Sequence, residues 1–346
     1  MIGGDFMEGL RLPGGRVVKT AIAIFITASI CQLLNWPAVF AVITATVTIE
    51  PTVSDSIRKG MIRFPASAIG SAYTVLFISI FGNSPITYTL AAFFTISTCY
   101  RLHLHAGLLV ATLTAIAMIE VVHSNFLIAF FIRLGTTTIG LLVSTAVNFF
   151  VFPPDYKDEI IDNMRSITKK TGIIIEKFFC NQLSSQKDEE TQNSKLMLQL
   201  KRRIQKAEKL IRFQEDEAKF HPLLSNDKKL FEIIKHQLTQ LNLIHYHLEN
   251  LLNTPQKKLS FTEMESEVII SAVHSLSQSM QNVSSFDHDQ HNQQLNHLIK
   301  LFWDKNEEMS IHTMQHPVYF PPELIFLYEF LSIYSLVLRM QHEPDN

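Results

Sequence analysis

The sequence predicts an all-α protein with a six-span membrane domain of two inverted three-helix repeats over residues 1–153. A cytoplasmic antiparallel helical bundle follows over residues 154–346. Three observations support this prediction: an internal repeat, six apolar runs in the first half, and a change of charge balance at residue 153. The whole chain carries 30 Lys and Arg against 32 Asp and Glu, so it lacks the strongly basic balance typical of nucleic-acid-binding proteins.

The first observation is that residues 43–70 match residues 113–140 at a constant offset of 70. Shared hydrophobic composition can align Leu and Ile by chance, but it does not align a Glu, an Arg and a Gly without a gap. The matched pairs are Ile43/Leu113, Thr44/Thr114, Ala45/Ala115, Ile49/Ile119, Glu50/Glu120, Ile62/Ile132, Arg63/Arg133, Ile69/Ile139 and Gly70/Gly140. Three spans in each copy, over about 17–82 and 86–152, force the second copy upside down, which is typical of transport proteins.

The second observation is the series of apolar runs, since a membrane-crossing helix needs about 20 mostly apolar residues. The runs are 17–34, 37–50, 61–81, 86–100, 106–122 and 126–152. Short connections at 35–36, 82–85 and 123–125 carry no Lys or Arg, whereas the other side holds Arg11, Arg16, Lys19, Arg58, Lys59, Arg101 and Lys157. This bias predicts a multi-pass protein of the cell membrane with both termini in the cytoplasm.

The third observation is the charge balance, which is 8 Lys and Arg against 5 Asp and Glu up to residue 153 and 22 against 27 beyond it. Apolar residues in the second part recur at helical spacing, which predicts about five or six helices. Thr262 with Glu265, and Pro322 before Glu323, are helix-start signals. The apolar run 324–338 is too short for a span and predicts a buried core helix.

Four charged residues of the repeat predict an anion pathway. Arg133 should lie roughly 10 Å inside the bilayer, where a charge faces a cavity or a partner. Glu120 can fold back beside Arg133, and Glu50 beside Arg63, at opposite mouths of one pathway. In the functional interpretation the arginines attract a carboxylate and one Glu carries a proton or repels the anion. In the structural interpretation each Glu and Arg is an ion pair that locks a helical hairpin.

Small residues of the repeat also have two interpretations. Thr44 and Thr114 could line a polar pore, but a Thr hydroxyl also bonds its own helix backbone, so packing is the alternative role. Gly70 and Gly140 predict close helix contact rather than ligand binding.

A further pattern resembles a known family. It consists of WPAVFAVITA at 36–45, then Pro51, Ser56, Arg58, Gly60, Arg63 and Gly70, and finally Asn148 ahead of Pro153 and Pro154. Over residues 10–155 this pattern resembles the aromatic acid exporter and fusaric acid resistance-like family, in its shorter bacterial branch. The resemblance implies export of aromatic or other organic carboxylates, or passive anion conduction as in the plant aluminium-activated malate transporters. Larger relatives carry two membrane halves in one chain, so a single half implies a homodimer.

These features favour a secondary membrane transporter with an organic anion as substrate and the lipid bilayer as its surroundings. The alternatives are a passive anion channel, or a membrane-anchored sensor or scaffold that acts through the helical bundle. The sequence carries no phosphate-binding glycine loop, metalloprotease helix or nucleophile elbow, so we expect neither an enzyme nor a cofactor. Cys31, Cys99 and Cys180 have no paired spacing, so we expect free thiols and no metal site.

The topology can be tested by cysteine labelling in a background without the native cysteines. Cysteines at Asn83 and Ser124 should react with an impermeant reagent from outside, because the short loops carry no basic residue. Cysteines at Asp55 and Ser284 should react only after the membrane is permeabilised. Outside labelling at Ser284 would overturn the assignment.

Overall fold

The computed structural model describes residues 14–121, 125–183, 190–253, 259–282, 286–312 and 321–341, and within these ranges all regular structure is helical. Arg11, Ser124 and Ser284, which enter the topology prediction, lie outside the described residues. The chain forms two compact units. The first holds the chain up to Asp155 together with residues 215–222, and the second holds residues 156–214 and the chain from Leu223 onward.

Six helices form the first unit in the described part of the chain: α1 (Gly15–Leu33), α2 (Ala38–Thr48), α3 (Val53–Phe81), α4 (Pro85–Arg101), α5 (His105–Val121) and α6 (Phe126–Phe150). Their bounds follow the apolar runs closely, except that α3 begins well before residue 61. Thr52 caps this early start, because its side-chain oxygen accepts from the Asp55 N–H at 3.1 Å. By length and composition α1, α3 and α6 can cross a membrane, and α2, α4 and α5 are shorter. The count of six spans stays a prediction.

Helix packing in the first unit repeats itself. α1 packs on α2 and α6, and α4 packs on α5 and α3. α2 also packs on α6, as α5 does on α3, and α3 and α6 pack on each other. Each of these contacts has a counterpart when α1, α2 and α3 are exchanged for α4, α5 and α6.

Two glycines allow the closest of these contacts. A Cβ atom on Gly70 would lie 2.8 Å from the carbonyl oxygen of Ala111, and one on Gly140 would lie 2.5 Å from that of Ala41. Ala41 and Ala111 are themselves 70 residues apart. Neither position has room for a larger residue, so the predicted role of these glycines in close helix contact is confirmed.

α1 and α4 carry a repeat that the sequence comparison missed. Three fully buried small residues of each helix correspond: Ala23, Thr27 and Cys31 in α1 and Ala91, Thr95 and Cys99 in α4. Both sets recur at every fourth residue, so each lies on one helix face, and they correspond at an offset of 68. The repeat therefore includes the first helix of each copy.

The second unit contains six further helices within the described ranges: α7 (Lys157–Leu183), α8 (Glu190–Ala218, whose last turn belongs to the first unit), α9 (Ser225–Asn253), α10 (Glu263–Gln281), α11 (His288–His312) and α12 (Pro322–Gln341). Thr262 and Glu265 form the predicted capping box at the start of α10. α12 begins at Pro322 and lies in the core of this unit, where Phe330, Ile333 and Val337 are fully buried. The prediction of a buried core helix is confirmed.

Candidate functional site

Two buried arginines occupy equivalent positions in the first unit. Arg63 on α3 is 5% exposed, and Arg133 on α6 is 1% exposed. A guanidinium carries its positive charge at every relevant pH, so its burial is costly unless an anion or several hydrogen-bond acceptors surround it. Within the described part of the chain Arg63 meets this requirement, whereas Arg133 does not.

Arg63 is balanced by groups of the chain itself. Its Nη2 donates to Glu50 Oε1 at 2.7 Å, and its Nε donates to the carbonyl oxygen of Ala106 at 3.2 Å. The other carboxylate oxygen of Glu50 accepts from Lys59 Nζ at 2.9 Å. The structure therefore brings Glu50 and Arg63 together, as the sequence predicted.

Arg133 has no such counter-ion among the residues that the structure describes. Its Nη1 donates to Thr137 Oγ1 at 2.6 Å, and its guanidinium lies 4.8 Å from the centre of the Phe40 ring. Nε and Nη2 have no hydrogen-bond acceptor among the described residues, although both are buried. An aromatic ring attracts a cation, but it supplies no negative charge.

The predicted pair of Glu120 and Arg133 is not formed, and this prediction was wrong for the present conformation. Glu120 is exposed, and its carboxylate accepts a hydrogen bond from the Tyr88 hydroxyl. The reason lies in the local backbone. α2 ends at Thr48, so Glu50 belongs to a loop that can turn toward Arg63, whereas α5 continues through Glu120 and holds it on the helix surface.

The two threonines of the predicted pathway are buried. Thr44 Oγ1 donates to the carbonyl oxygen of Phe40 at 2.9 Å, and Thr114 Oγ1 donates to that of Val110 at 2.6 Å. Both hydroxyls thus bond their own helices at equivalent positions, which matches the packing role. A different hydroxyl pair does meet between the copies: Ser67 Oγ and Thr137 Oγ1, at equivalent positions, lie 3.2 Å apart.

The loop that carries Glu50 is held by polar side chains that were not among the predicted site residues, although Ser56 and Asn148 belong to the family pattern. Asn148 Nδ2 lies within hydrogen-bond distance of the carbonyl oxygens of Glu50 and Thr52, both at 3.2 Å, and of Ser56 Oγ at 2.9 Å. Asn148 Oδ1 in turn accepts from Lys19 Nζ at 2.9 Å. The sequence signal for this arrangement is Lys19, a charged residue within the first apolar run, which marks a polar partner as well as the topology.

Glu217 completes this arrangement from the segment 215–222, which belongs to the first unit. The residue is 1% exposed, and its Oε2 accepts from the backbone N–H of Val53 at 3.0 Å. Its Oε1 lies 2.8 Å from His221 Nδ1. The first N–H groups of a helix have no partner within the helix, so Glu217 acts as a cap for α3. Nothing in its charged sequence neighbourhood distinguishes it.

Within the part of the chain that the structure describes, no three His, Cys, Asp or Glu side chains lie close enough together to hold a metal ion. The side chains that the site presents are buried guanidinium, hydroxyl and aromatic groups, together with the carboxylates of Glu50 and Glu217 beside the loop between α2 and α3.

Long apolar helices with buried charges between them are typical of multi-pass membrane proteins. Residues 12–151 match the family described as aromatic acid exporter family member 1. The chain belongs to this aromatic acid exporter family, as the resemblance predicted, and the membership suggests export across a membrane.

Similar proteins extend over nearly the whole chain. A UPF0421 protein of Oceanobacillus iheyensis is 46% identical over 326 residues, which are 93% of each protein. A UPF0421 protein of Bacillus thuringiensis strain Al Hakam is 40% identical over 332 residues, 95% of this chain and 92% of the relative. One of Staphylococcus haemolyticus is 35% identical over 329 residues, 94% and 96% respectively. The similarity thus includes the second unit as well as the first.

Replacing Glu217 tests its role as a cap. Glu217→Ala leaves the buried N–H of Val53 without its acceptor, which should lower the free energy of unfolding by about 1–3 kcal/mol. The matched control is Asp216→Ala, because Asp216 pairs with Lys219 at the surface, where such pairs contribute about 0–1 kcal/mol. Thermal unfolding of the purified full chain in mild detergent measures both. An equal loss of stability in the two variants would contradict the role given to Glu217.

Proposed function

We propose that this protein is a secondary transporter of the cell membrane that exports organic carboxylate anions. The observation that carries the proposal is the buried guanidinium of Arg133, two of whose nitrogens have no acceptor among the described residues. A charge without a counter-ion is costly in an apolar interior, and charges within membranes mark substrate or ion pathways. A transiently bound anion would balance this charge, and a planar guanidinium suits a carboxylate. Family membership supports export as the direction.

In this proposal the first unit has six spans in two inverted repeats. The support is the set of contacts that recur between the copies, including those of Gly70 with Ala111 and Gly140 with Ala41. Two copies in opposite orientation can present the same set of groups to opposite sides of the membrane, as alternating access requires. A membrane anchor alone has no need of this duplication.

The two glutamates have different roles in the proposal. Glu50 is held by Arg63 and Lys59, so it closes the inner side as part of an ion pair. Glu120 is exposed and bonded to Tyr88, with no Lys or Arg within ion-pair distance among the described residues, so it is the carboxylate assigned to proton coupling. Aromatic carboxylates are the first substrates to test.

The transporter is proposed to be a homodimer with two-fold symmetry, since each chain carries one membrane half where larger relatives carry two. Native mass measurement in mild detergent should therefore give twice the chain mass of 39.5 kDa. A monomer that remains active after reconstitution at one chain per vesicle would contradict this assembly.

Export and stability measured on the same variants test the proposed roles of the arginines. Arg133→Gln should reduce export of radiolabelled benzoate from proteoliposomes at least about 10-fold, because hydrogen bonds to a charged group are lost. Its thermal stability should be unchanged or higher, since the variant removes a buried charge that lacks a counter-ion. Arg63→Gln should instead lower stability, and the double variant Glu50→Gln/Arg63→Gln should recover much of the loss.

The opposite pattern of export and stability would contradict the roles proposed for Arg133 and Arg63. If Arg133→Gln unfolds at lower temperature than Arg63→Gln while it exports benzoate at the wild-type rate, Arg133 has a structural role only. Export against a benzoate gradient distinguishes a coupled transporter from a passive channel. Glu120→Gln should lose this accumulation and retain downhill exchange.

A further inference from the structure

The hydrogen-bond pattern of Arg133 identifies which edge of its guanidinium lacks acceptors. In arginine, Nε–H and one N–H of Nη2 point in parallel along one side of the planar group, and a carboxylate can accept both through its two oxygens. These are the two nitrogens of Arg133 without an acceptor among the described residues, and Nη1 is occupied by Thr137. The groups without acceptors thus form one complete binding edge.

The equivalent edge of Arg63 is used within the chain. Its Nη2 donates to Glu50 and its Nε donates to the carbonyl oxygen of Ala106, and only Nη1 has no acceptor among the described residues. Arg63 therefore shows how this edge is satisfied when a carboxylate of the chain is available. The two arginines match in sequence, but only Arg133 can offer this edge to a ligand in the present conformation.

Neighbouring side chains fix the position of the Arg133 guanidinium, and an aromatic ring covers one of its faces. The Phe40 ring lies over the group, and the Thr137 hydroxyl fixes the end that carries Nη1. Phe40 belongs to an apolar cluster with Ile78, Met118 and Ile119. A charge held in a fixed position loses little side-chain entropy when a ligand binds.

The geometry of the donors and the apolar surroundings indicate which chemical class of ligand Arg133 can bind. Two parallel donors in one plane match a carboxylate better than a spherical anion, and one positive charge balances one carboxylate. Because an apolar cluster adjoins the site, the remainder of the ligand should be apolar. We propose that the Nε and Nη2 edge of Arg133 binds an apolar monocarboxylate side-on, and that Arg63 is not a binding residue in this conformation. This inference rests on the proposed function and specifies its substrate-binding group.

Intrinsic fluorescence can report binding at this position. The chain has two tryptophans, and the ring of Trp36 packs directly on Gly135, two residues from Arg133. Trp303→Phe leaves Trp36 as the only tryptophan in the full chain. Benzoate added to this purified variant in detergent should change the Trp36 emission saturably. Benzamide, which has the same ring without the charge, should not.

Arginine variants in the same background locate the site. Arg133→Gln should weaken benzoate binding by about 100-fold, because two hydrogen bonds to a charged group are lost. Arg133→Lys should weaken it by about 10-fold, since the charge remains without the parallel donors. The matched control is Arg58→Gln, an exposed residue bonded to Asp55, which should bind benzoate as the parent does. Circular dichroism and gel filtration establish that each variant is folded.

Several results would overturn the proposal. These are absence of saturable binding in the parent, displacement of benzoate by an equal concentration of chloride, or retention of binding in Arg133→Gln together with its loss in Arg63→Gln. If Arg133→Gln does not fold, unchanged affinity in Arg133→Lys overturns the side-on geometry. Binding without export in vesicles would contradict the proposed function and leave the site intact. Export without binding at Arg133 would contradict the site alone.

Discussion

The burial of positive charge constrains the arrangement of the first unit more than any other interaction. A guanidinium in an apolar interior requires acceptors around it, and Arg63 obtains them from Glu50 and from the carbonyl oxygen of Ala106. To supply Glu50, the chain must leave helical structure at Thr48 and turn toward α3. The irregular backbone of this turn has carbonyl and N–H groups without helical partners. Asn148 and Glu217 satisfy them from distant parts of the chain.

Close helix packing provides the second constraint, and the two copies meet it in the same way. Gly70 and Gly140 each bring a helix backbone against an alanine of the other copy, and the Ser67 and Thr137 hydroxyls meet between equivalent positions. The difference between the copies is concentrated where helices end. α2 stops before Glu50, but α5 continues past Glu120, so one arginine acquires a carboxylate from its own copy and the other does not. A small difference in helix length thereby gives Arg63 an ion-pair partner and leaves Arg133, its equivalent in sequence, without one among the described residues.

A buried carboxylate on α12, in the second unit, also has partners. By composition this helix resembles a membrane span more than the other helices of that unit do. α12 is almost wholly apolar, yet it contains Glu329, which is 7% exposed. Its carboxylate lies against His247 and accepts from Asn250 at 3.3 Å, and both partners are on α9. The length of the apolar run was sufficient to predict a core helix. The partners of Glu329 could not be predicted, because they lie about 80 positions earlier in the chain.

Features that depend on composition and periodicity could be predicted from the sequence alone. These include the helices of the first unit, the repeat with its glycines, and the position of Arg133 within an apolar helix, because the order of residue types along the chain specifies each of them. The choice of partner for each charge depended on the tertiary structure. Glu217 caps Val53 across 164 residues, and Glu120 bonds Tyr88 instead of Arg133, contacts that no local pattern encodes. Helix formation is governed by neighbours along the chain, whereas the energy of a buried charge is set by whichever groups the fold brings within hydrogen-bond distance.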